Sequence, residues 1–295
     1  MVKLLRSFAP AKINLFLRVT GRRADAYHEL DSIFVPVSIY DRVDIELHRS
    51  HTASVQLRCD SDSIPADERN LAFRAASEFL SRFVIRAEVG ITLHKAIPVG
   101  AGLGGGSSDA GTVLGMMAGL CGIADLQPLV SVAERLGADV PFFLNPQPSR
   151  VRGIGEQIEA LPLTTQPIFL IAVPPIEVST ALVFRDLHPD QWSGPASDEA
   201  IAAVVQGQFE REYLVNDLEQ IAVARWPEIG ELKRMLGDLG ARATAMTGSG
   251  GGVFGVFDST EQAERVRREI DHTVAQVQTF IASVHDSYGW GKGLP

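Results

Sequence analysis

Residues 98–109 read Pro-Val-Gly-Ala-Gly-Leu-Gly-Gly-Gly-Ser-Ser-Asp, and this run constrains the fold more than any other stretch of the chain. Its five glycines let the backbone take left-handed angles and approach a ligand closely. Directly behind it a helix is predicted from about Ser107 to Leu120, with Gly122 as its stop signal. A glycine loop that feeds a helix N-terminus presents unpaired N–H groups and the positive end of the helix dipole, and both favour an anion. The run therefore reads as a phosphate site made by Pro98, Gly100, Gly102, Leu103, Gly104, Gly105, Gly106, Ser107 and Ser108. The two serines add hydroxyls for phosphate oxygens, and Ser108 is the candidate contact to Mg²⁺. A flexible linker is the competing reading, but a linker has no reason to abut a helix that opens with Ser-Ser-Asp.

Two better-known phosphate loops do not fit. Gly100 to Gly105 matches G-x-x-x-x-G, yet Gly106-Ser107 stands where a Walker A loop needs Lys followed by Ser or Thr. The same glycines match G-x-G-x-x-G, but no βαβ unit with an acidic residue about 20 positions on encloses them. A formal net charge of −9 argues against nucleic acid as a general partner, because clustered positive charge supplies most of that affinity. The two cysteines, Cys59 and Cys121, lie in no metal-binding spacing and make no disulfide framework. With no signal-peptide run and no apolar stretch of about 20 residues, the expected compartment is the cytosol and no membrane is a partner.

The rest of the chain alternates strands and helices. Strands are expected at 8–19, 30–40, 42–48, 53–58 and 89–95, with a helix over 70–83 between the last two. Beyond the glycine loop, helices are expected at 127–136, 179–184, 198–205, 216–225, 227–239 and 261–270. Further strands are expected at 167–173, 243–246, 252–257 and 275–283, with an irregular tail from 284. The fold class is α+β. Residues 1–160 are expected to form a first half that carries the glycine loop, and 161–295 a second half resembling a ferredoxin-like sandwich.

Five lysines stand against 22 arginines, so a lysine in this chain marks a place where charge alone does not explain the choice of residue. Lys12 lies inside the apolar run Phe8–Val19. As a lone feature it could be a solvent-facing charge on an edge strand. Asp139, between Gly137 and Pro141, reads on pattern alone as a helix N-cap.

Pro10-Ala-Lys-Ile-Asn14, the glycine loop and Thr247-Gly-Ser-Gly-Gly251 together resemble, in order, the three motifs of the GHMP kinase family. Asp25-Ala-Tyr-His28, the long Gly-Leu-Gly-Gly-Gly-Ser-Ser form, Leu136-Gly-Ala-Asp-Val-Pro141 and Gly153-Ile-Gly-Glu156 are similar to its branch that phosphorylates a cytidine-diphosphate-linked sugar alcohol for isoprenoid precursors. The resemblance implies a two-domain architecture, with a first domain like that of ribosomal protein S5 and a substrate cleft between the domains. It implies ATP as co-substrate with Mg²⁺, Asp139 as general base and Lys12 as its cationic partner. The small-molecule acceptor would be held by Asn14, Tyr27, His28, Thr180, Phe184 and the turn Thr247, Gly248, Ser249 and Gly250. Tyr27 would stack on the base and His28 would bond its edge. The family places glycine before that tyrosine, where this chain has Ala26. From the residues alone, Phe184 reads as core packing, Thr247–Gly251 as a hairpin turn, and Arg150 and Arg152 as solvated surface charge. A different GHMP kinase, or a catalytically silent nucleotide sensor or RNA-binding module on the same fold, are the rival functions.

Overall fold

The computed structural model describes residues 2–125 and 127–285. The irregular tail expected from 284 therefore lies almost wholly outside the described residues.

The first sheet is built on two long strands, β1 (Val2–Arg22) and β2 (His28–Arg49), paired antiparallel along their length. The other edge of β2 carries β4 (Ala87–His94) on one stretch and β5 (Ser149–Gly153) on another. Outside these lie β3 (Ser54–Cys59), parallel to β4, and β6 (Gln157–Ala160), antiparallel to β5. Sequence periodicity divides β2 at Asp41, but the strand runs through it. The Asp41 carboxylate accepts from Ala96 N and Ile97 N and meets Lys95, so a fully buried charge is satisfied without leaving the sheet. The hairpin β5–β6 has no signal in the sequence, because every residue of β6 is exposed and nothing alternates.

Helix α1 (Leu71–Arg82) joins β3 to β4 and is capped by Asn70, whose Oδ1 accepts from Ala72 N at 2.9 Å. Helix α2 (Gly105–Cys121) follows the glycine loop and is buried from Ser108 to Ala118. Its apolar side packs with α1, α3 (Gln127–Leu136) and one face of β2 and β4.

The second sheet has the order β10 (Gln278–Ala282), β7 (Ile168–Val173), β9 (Val253–Phe257), β8 (Ala243–Met246), with every neighbouring pair antiparallel. Counted within this half the order is 4-1-3-2, the ferredoxin-like arrangement expected from the sequence. Its strands alternate in the period-2 way. Leu170 and Ala172 face a layer that includes α7 (Pro227–Asp238) and α8 (Thr260–Thr273), while Phe169 and Ile171 face β1 and β2. The shorter helices α4 (Thr180–Arg185), α5 (Asp198–Val205) and α6 (Glu219–Arg225) lie between β7 and α7 in the chain.

The two halves share one core. Ile13, Leu15, Val35 and Val37 pack with Phe169, Ile171 and Phe254. Leu17 N donates to Val215 O at 2.8 Å and Asp217 N returns a bond to Leu17 O at 2.9 Å. Arg150, expected to be solvated, instead makes a two-point pair with buried Asp31 at 2.9 and 2.7 Å, and Asp31 also accepts from Ala196 N in the second half. A planar guanidinium matches a carboxylate in this geometry, and the charge it neutralises is out of solvent. Arg152 does behave as a surface charge, 3.5 Å from exposed Glu159.

Candidate active site

Strand geometry places residues two apart on one face, so Lys12 and Asn14 project together from β1. Lys12 is 3% exposed, which overturns the solvent-facing reading. Its Nζ donates to Asn14 Oδ1 at 2.7 Å, lies 3.6 Å from Asp139 Oδ2 and sits 4.6 Å from the centre of the Phe34 ring. Burial lowers the Lys12 pKa and Asp139 opposes that shift. Asn14 is a hub. It also donates to Ser32 Oγ at 2.9 Å and accepts from Gly248 N at 2.9 Å, and its own backbone N–H donates to Thr247 Oγ1 at 3.1 Å.

Asp139 stands in the turn between α3 and a 3₁₀ turn over 141–144. The N-cap alternative fails, because Val140 occupies that position and no side chain bonds the turn's N–H groups. Asp139 is half-exposed and faces a cavity of about 600 Å³. The Gly153–Glu156 turn supports it from behind. Gly155 lies against Ala138, where a Cβ would come within 2.4 Å of the Ala138 carbonyl oxygen.

The glycine loop alternates. Gly100, Gly102 and Gly104 have φ of 72, 72 and 73°, each a left-handed position. Lys12 N donates to Leu103 O at 2.9 Å, which fixes the loop beside the Lys12–Asp139 pair. α2 starts at Gly105 with no side chain capping it, so its first N–H groups are left for a ligand. The turn 247–252 backs the loop main chain to main chain. Gly252 N donates to Ala101 O at 3.0 Å, and a Cβ on Gly102 would lie 2.2 Å from Thr247 O.

Those contacts sort the loop residues. Gly100, Gly102, Gly104 and Ser107 border the large cavity and also a second one of about 400 Å³, which Pro98, Leu103, Gly105 and Gly106 line as well. Ser108 borders neither; it is fully buried and donates its hydroxyl to Pro10 O at 2.7 Å. In the turn, Gly248 and Ser249 reach the large cavity, whereas Thr247 and Gly250 do not line it. Thr247 is wholly buried and its hydroxyl serves the Asn14 backbone.

The far wall of the large cavity holds the aromatic residues. His28 stacks on Phe184 with ring centres 5.3 Å apart and planes 29° off parallel, and Trp192 meets His28 edge-on at 6.0 Å. Phe184 therefore does more than pack in the core. Tyr27 is 60% exposed at the rim. Thr180 Oγ1 and Ser249 Oγ lie 2.6 Å apart and close the wall. Burial first, then Arg22, lowers the His28 pKa, so the ring is neutral at pH 7 and offers one donor and one acceptor. Ala26 has φ of 71°, a left-handed position that glycine takes without strain.

The family models for the GHMP kinase N-terminal domain and C-terminal domain match residues 70–146 and 208–276. A 4-diphosphocytidyl-2-C-methyl-D-erythritol kinase of Syntrophotalea carbinolica is 42% identical over 86% of this chain and 90% of its own length. Another from Citrifermentans bemidjiense is 39% identical over 91% and 95%. A crystal structure of 4-(cytidine 5'-diphospho)-2C-methyl-D-erythritol kinase superposes with a TM-score of 0.80 at 34% identity, covering 96% of this chain and 100% of that one. This chain belongs to the GHMP kinase family. Homoserine kinase from Cytophaga hutchinsonii shares the fold, with a TM-score of 0.73 at 19% identity. As a GHMP kinase the protein is a phosphotransferase that takes its phosphoryl group from ATP.

One group of residues in this GHMP kinase is joined only in the structure, since the sequence marks Lys95 by the scarcity of lysine and Asp109 as a helix cap or a carboxylate for Mg²⁺. Lys95 bonds both Asp41 and Asp109, the latter at 2.5 Å, and Lys95 and Asp109 border the second cavity. At phosphate-transfer sites Mg²⁺ keeps several waters and is bound by substrate phosphates with one or two carboxylates, so it needs few protein ligands. Among the described residues no cluster of three or more His, Cys, Asp or Glu could hold a metal ion by itself. The donor set fits an ion that would arrive on a triphosphate, and of the two serines only Ser107 borders the cavities. Among the described residues no helix is long and apolar enough to cross a membrane.

Proposed function

We propose that this GHMP kinase transfers the γ-phosphoryl group of ATP to a hydroxyl of 4-diphosphocytidyl-2-C-methyl-D-erythritol, the 2-hydroxyl by family resemblance, in the non-mevalonate supply of isoprenoid precursors. One observation carries the reading. A single cavity of about 600 Å³ joins the Lys12–Asp139 pair, the glycine loop and the His28–Phe184 wall, so phosphoryl donor, acceptor hydroxyl and pyrimidine can lie in one continuous space. Residues 1–160 are taken as the ATP-binding half and 161–295 as the second, with the cleft between them and the enzyme working in the cytosol.

In this reading the triphosphate lies on the N–H groups of the loop and of the first turn of α2. Asp139 takes the proton of the acceptor hydroxyl. The hydroxyl oxygen forms a bond to the γ-phosphorus as the bond from that phosphorus to the β,γ-bridging oxygen breaks, and ADP leaves with those electrons. Lys12 is held by Asn14 and stabilises the negative charge that develops on the attacking oxygen. The Ser107 hydroxyl would be the protein group to hold Mg²⁺, which when bound would neutralise charge on the phosphates. Neutral His28 matches the donor–acceptor edge of cytosine, and Tyr27 supplies a stacking face.

The test is a phosphorylation assay with the cytidyl sugar alcohol, homoserine and mevalonate as acceptors. ADP formation stimulated by the cytidyl compound alone supports the assignment. Stimulation by one of the others, or by none, overturns it.

A further inference from the structure

The glycine loop is flanked at both ends by one buried charge network. Lys95 to Ile97 lead into the loop, and Asp109 stands in α2 just beyond it. Asp41 reaches across from β2 and is fully buried. Its Oδ1 accepts from Ala96 N at 2.6 Å and from Ile97 N at 2.9 Å, and its Oδ2 meets Lys95 Nζ. The same ammonium bonds Asp109 Oδ2 at 2.5 Å. Asp60 fixes the Lys95 backbone, accepting from its N–H at 2.9 Å, and also faces His94. Asp109 Oδ1 is buried with no hydrogen-bond partner.

Two carboxylates share one ammonium here, away from water. Such a network adds little net stability, but removing one member strands a buried charge, so it fixes geometry tightly. The elements it joins are the strand beneath the loop, the segment entering it and the helix leaving it. We propose that Lys95 is a positioning residue for ATP: through Asp41 and Asp109 it ties the two ends of the 98–108 loop together and holds the loop in its phosphate-binding shape before nucleotide arrives. The inference rests on the loop being the triphosphate site, as proposed above. Its effect falls on nucleotide affinity, because a loop that must be ordered on binding binds more weakly. The acceptor wall is untouched by the network, and neither Lys95 nor Asp109 borders the large cavity.

Asp41 is the discriminating position, since it borders neither cavity. The dissociation constants of a non-hydrolysable ATP analogue and of CDP are measured by calorimetry for the wild type, Lys95→Met, Lys95→Arg and Asp41→Asn. Both Lys95→Met and Asp41→Asn are expected to weaken the ATP analogue about tenfold or more while CDP affinity stays within about twofold, the pattern of lost loop order rather than general damage. Lys95→Arg keeps the charge and recovers part of the loss. If Lys95→Met does not fold, Asp41→Asn carries the test alone, with its thermal unfolding recorded beside it. Weakening in Lys95→Met but not in Asp41→Asn would mean that Lys95 touches the nucleotide directly, and the clamp would be lost. Equal loss of ATP-analogue and CDP affinity would also overturn it. A wild-type chain that fails to bind the ATP analogue defeats the kinase reading itself, a result separate from either of these.

Discussion

Lys12 Nζ lies 2.7 Å from Asn14 Oδ1 and 3.6 Å from Asp139 Oδ2, so one buried ammonium is shared between an amide and a carboxylate that faces the cavity. This geometry separates binding from chemistry. Asp139→Asn keeps the size of the side chain and removes the base. It should leave ATP binding intact and lower kcat by about 10²–10⁴-fold, as loss of a general base does. Steady-state kinetics with both substrates varied, beside nucleotide binding by calorimetry, checks it. A kcat within a few-fold of wild type would remove Asp139 from the proton path.

Tyr27 stands exposed at the rim of the cavity. Stacking on a base contributes roughly 1–3 kcal/mol by alanine substitution. Tyr27→Ala is therefore expected to raise KM for the cytidyl acceptor about tenfold while KM for ATP stays near its wild-type value. An unchanged acceptor KM would show that no base lies there.

Ala26 holds a left-handed φ of 71°. An L-residue with a Cβ is strained in that conformation by roughly 1–2 kcal/mol, and glycine relieves the strain at some cost in chain entropy. Ala26→Gly should accordingly stabilise the fold by up to about 1 kcal/mol, seen as a higher midpoint in chemical denaturation. A lower midpoint would contradict the backbone geometry of this turn.

Asp109 carries a pH signature. Burial pushes its pKa up from 3.8 to about 7, against the pull of Lys95. The folded chain then holds a proton on Asp109 that the unfolded chain has released between about pH 4 and pH 7. By linkage, the contribution of this residue to stability falls as pH rises through that window and levels off above it. Asp109→Asn removes the slope. The stability difference between variant and wild type, from denaturant unfolding at pH 5 and pH 7.5, should shift in favour of the variant at the higher pH. A constant difference would mean that Asp109 is ionised throughout.

Much of the site is legible in the sequence because it is local. The glycine loop, the helix behind it and the Lys12–Asn14 spacing are patterns within a few residues of each other. What the sequence hides depends on partners far apart along the chain. Arg150 looks like any surface arginine until β2 brings Asp31 beside it, and Lys95 looks like the end of a strand until Asp41 and Asp109 converge on it. The division of β2 at Asp41 fails for the same reason, since an aspartate breaks a strand only when its charge is unmet. The Thr247–Gly251 turn does look like a glycine-rich connection between two strands, but periodicity cannot say that its backbone lies against another loop. Ser107 and Ser108 cannot be told apart by sequence either, because only the first turn of α2 decides which hydroxyl faces inward.

Gly102 and Thr247, 145 residues apart, touch main chain to main chain. Translation therefore delivers the glycine loop long before the segment that backs it. A nascent chain stalled after α2 would carry the glycine run without the turn that backs it. That backing arrives only with the strands β8 and β9, near the end of the chain.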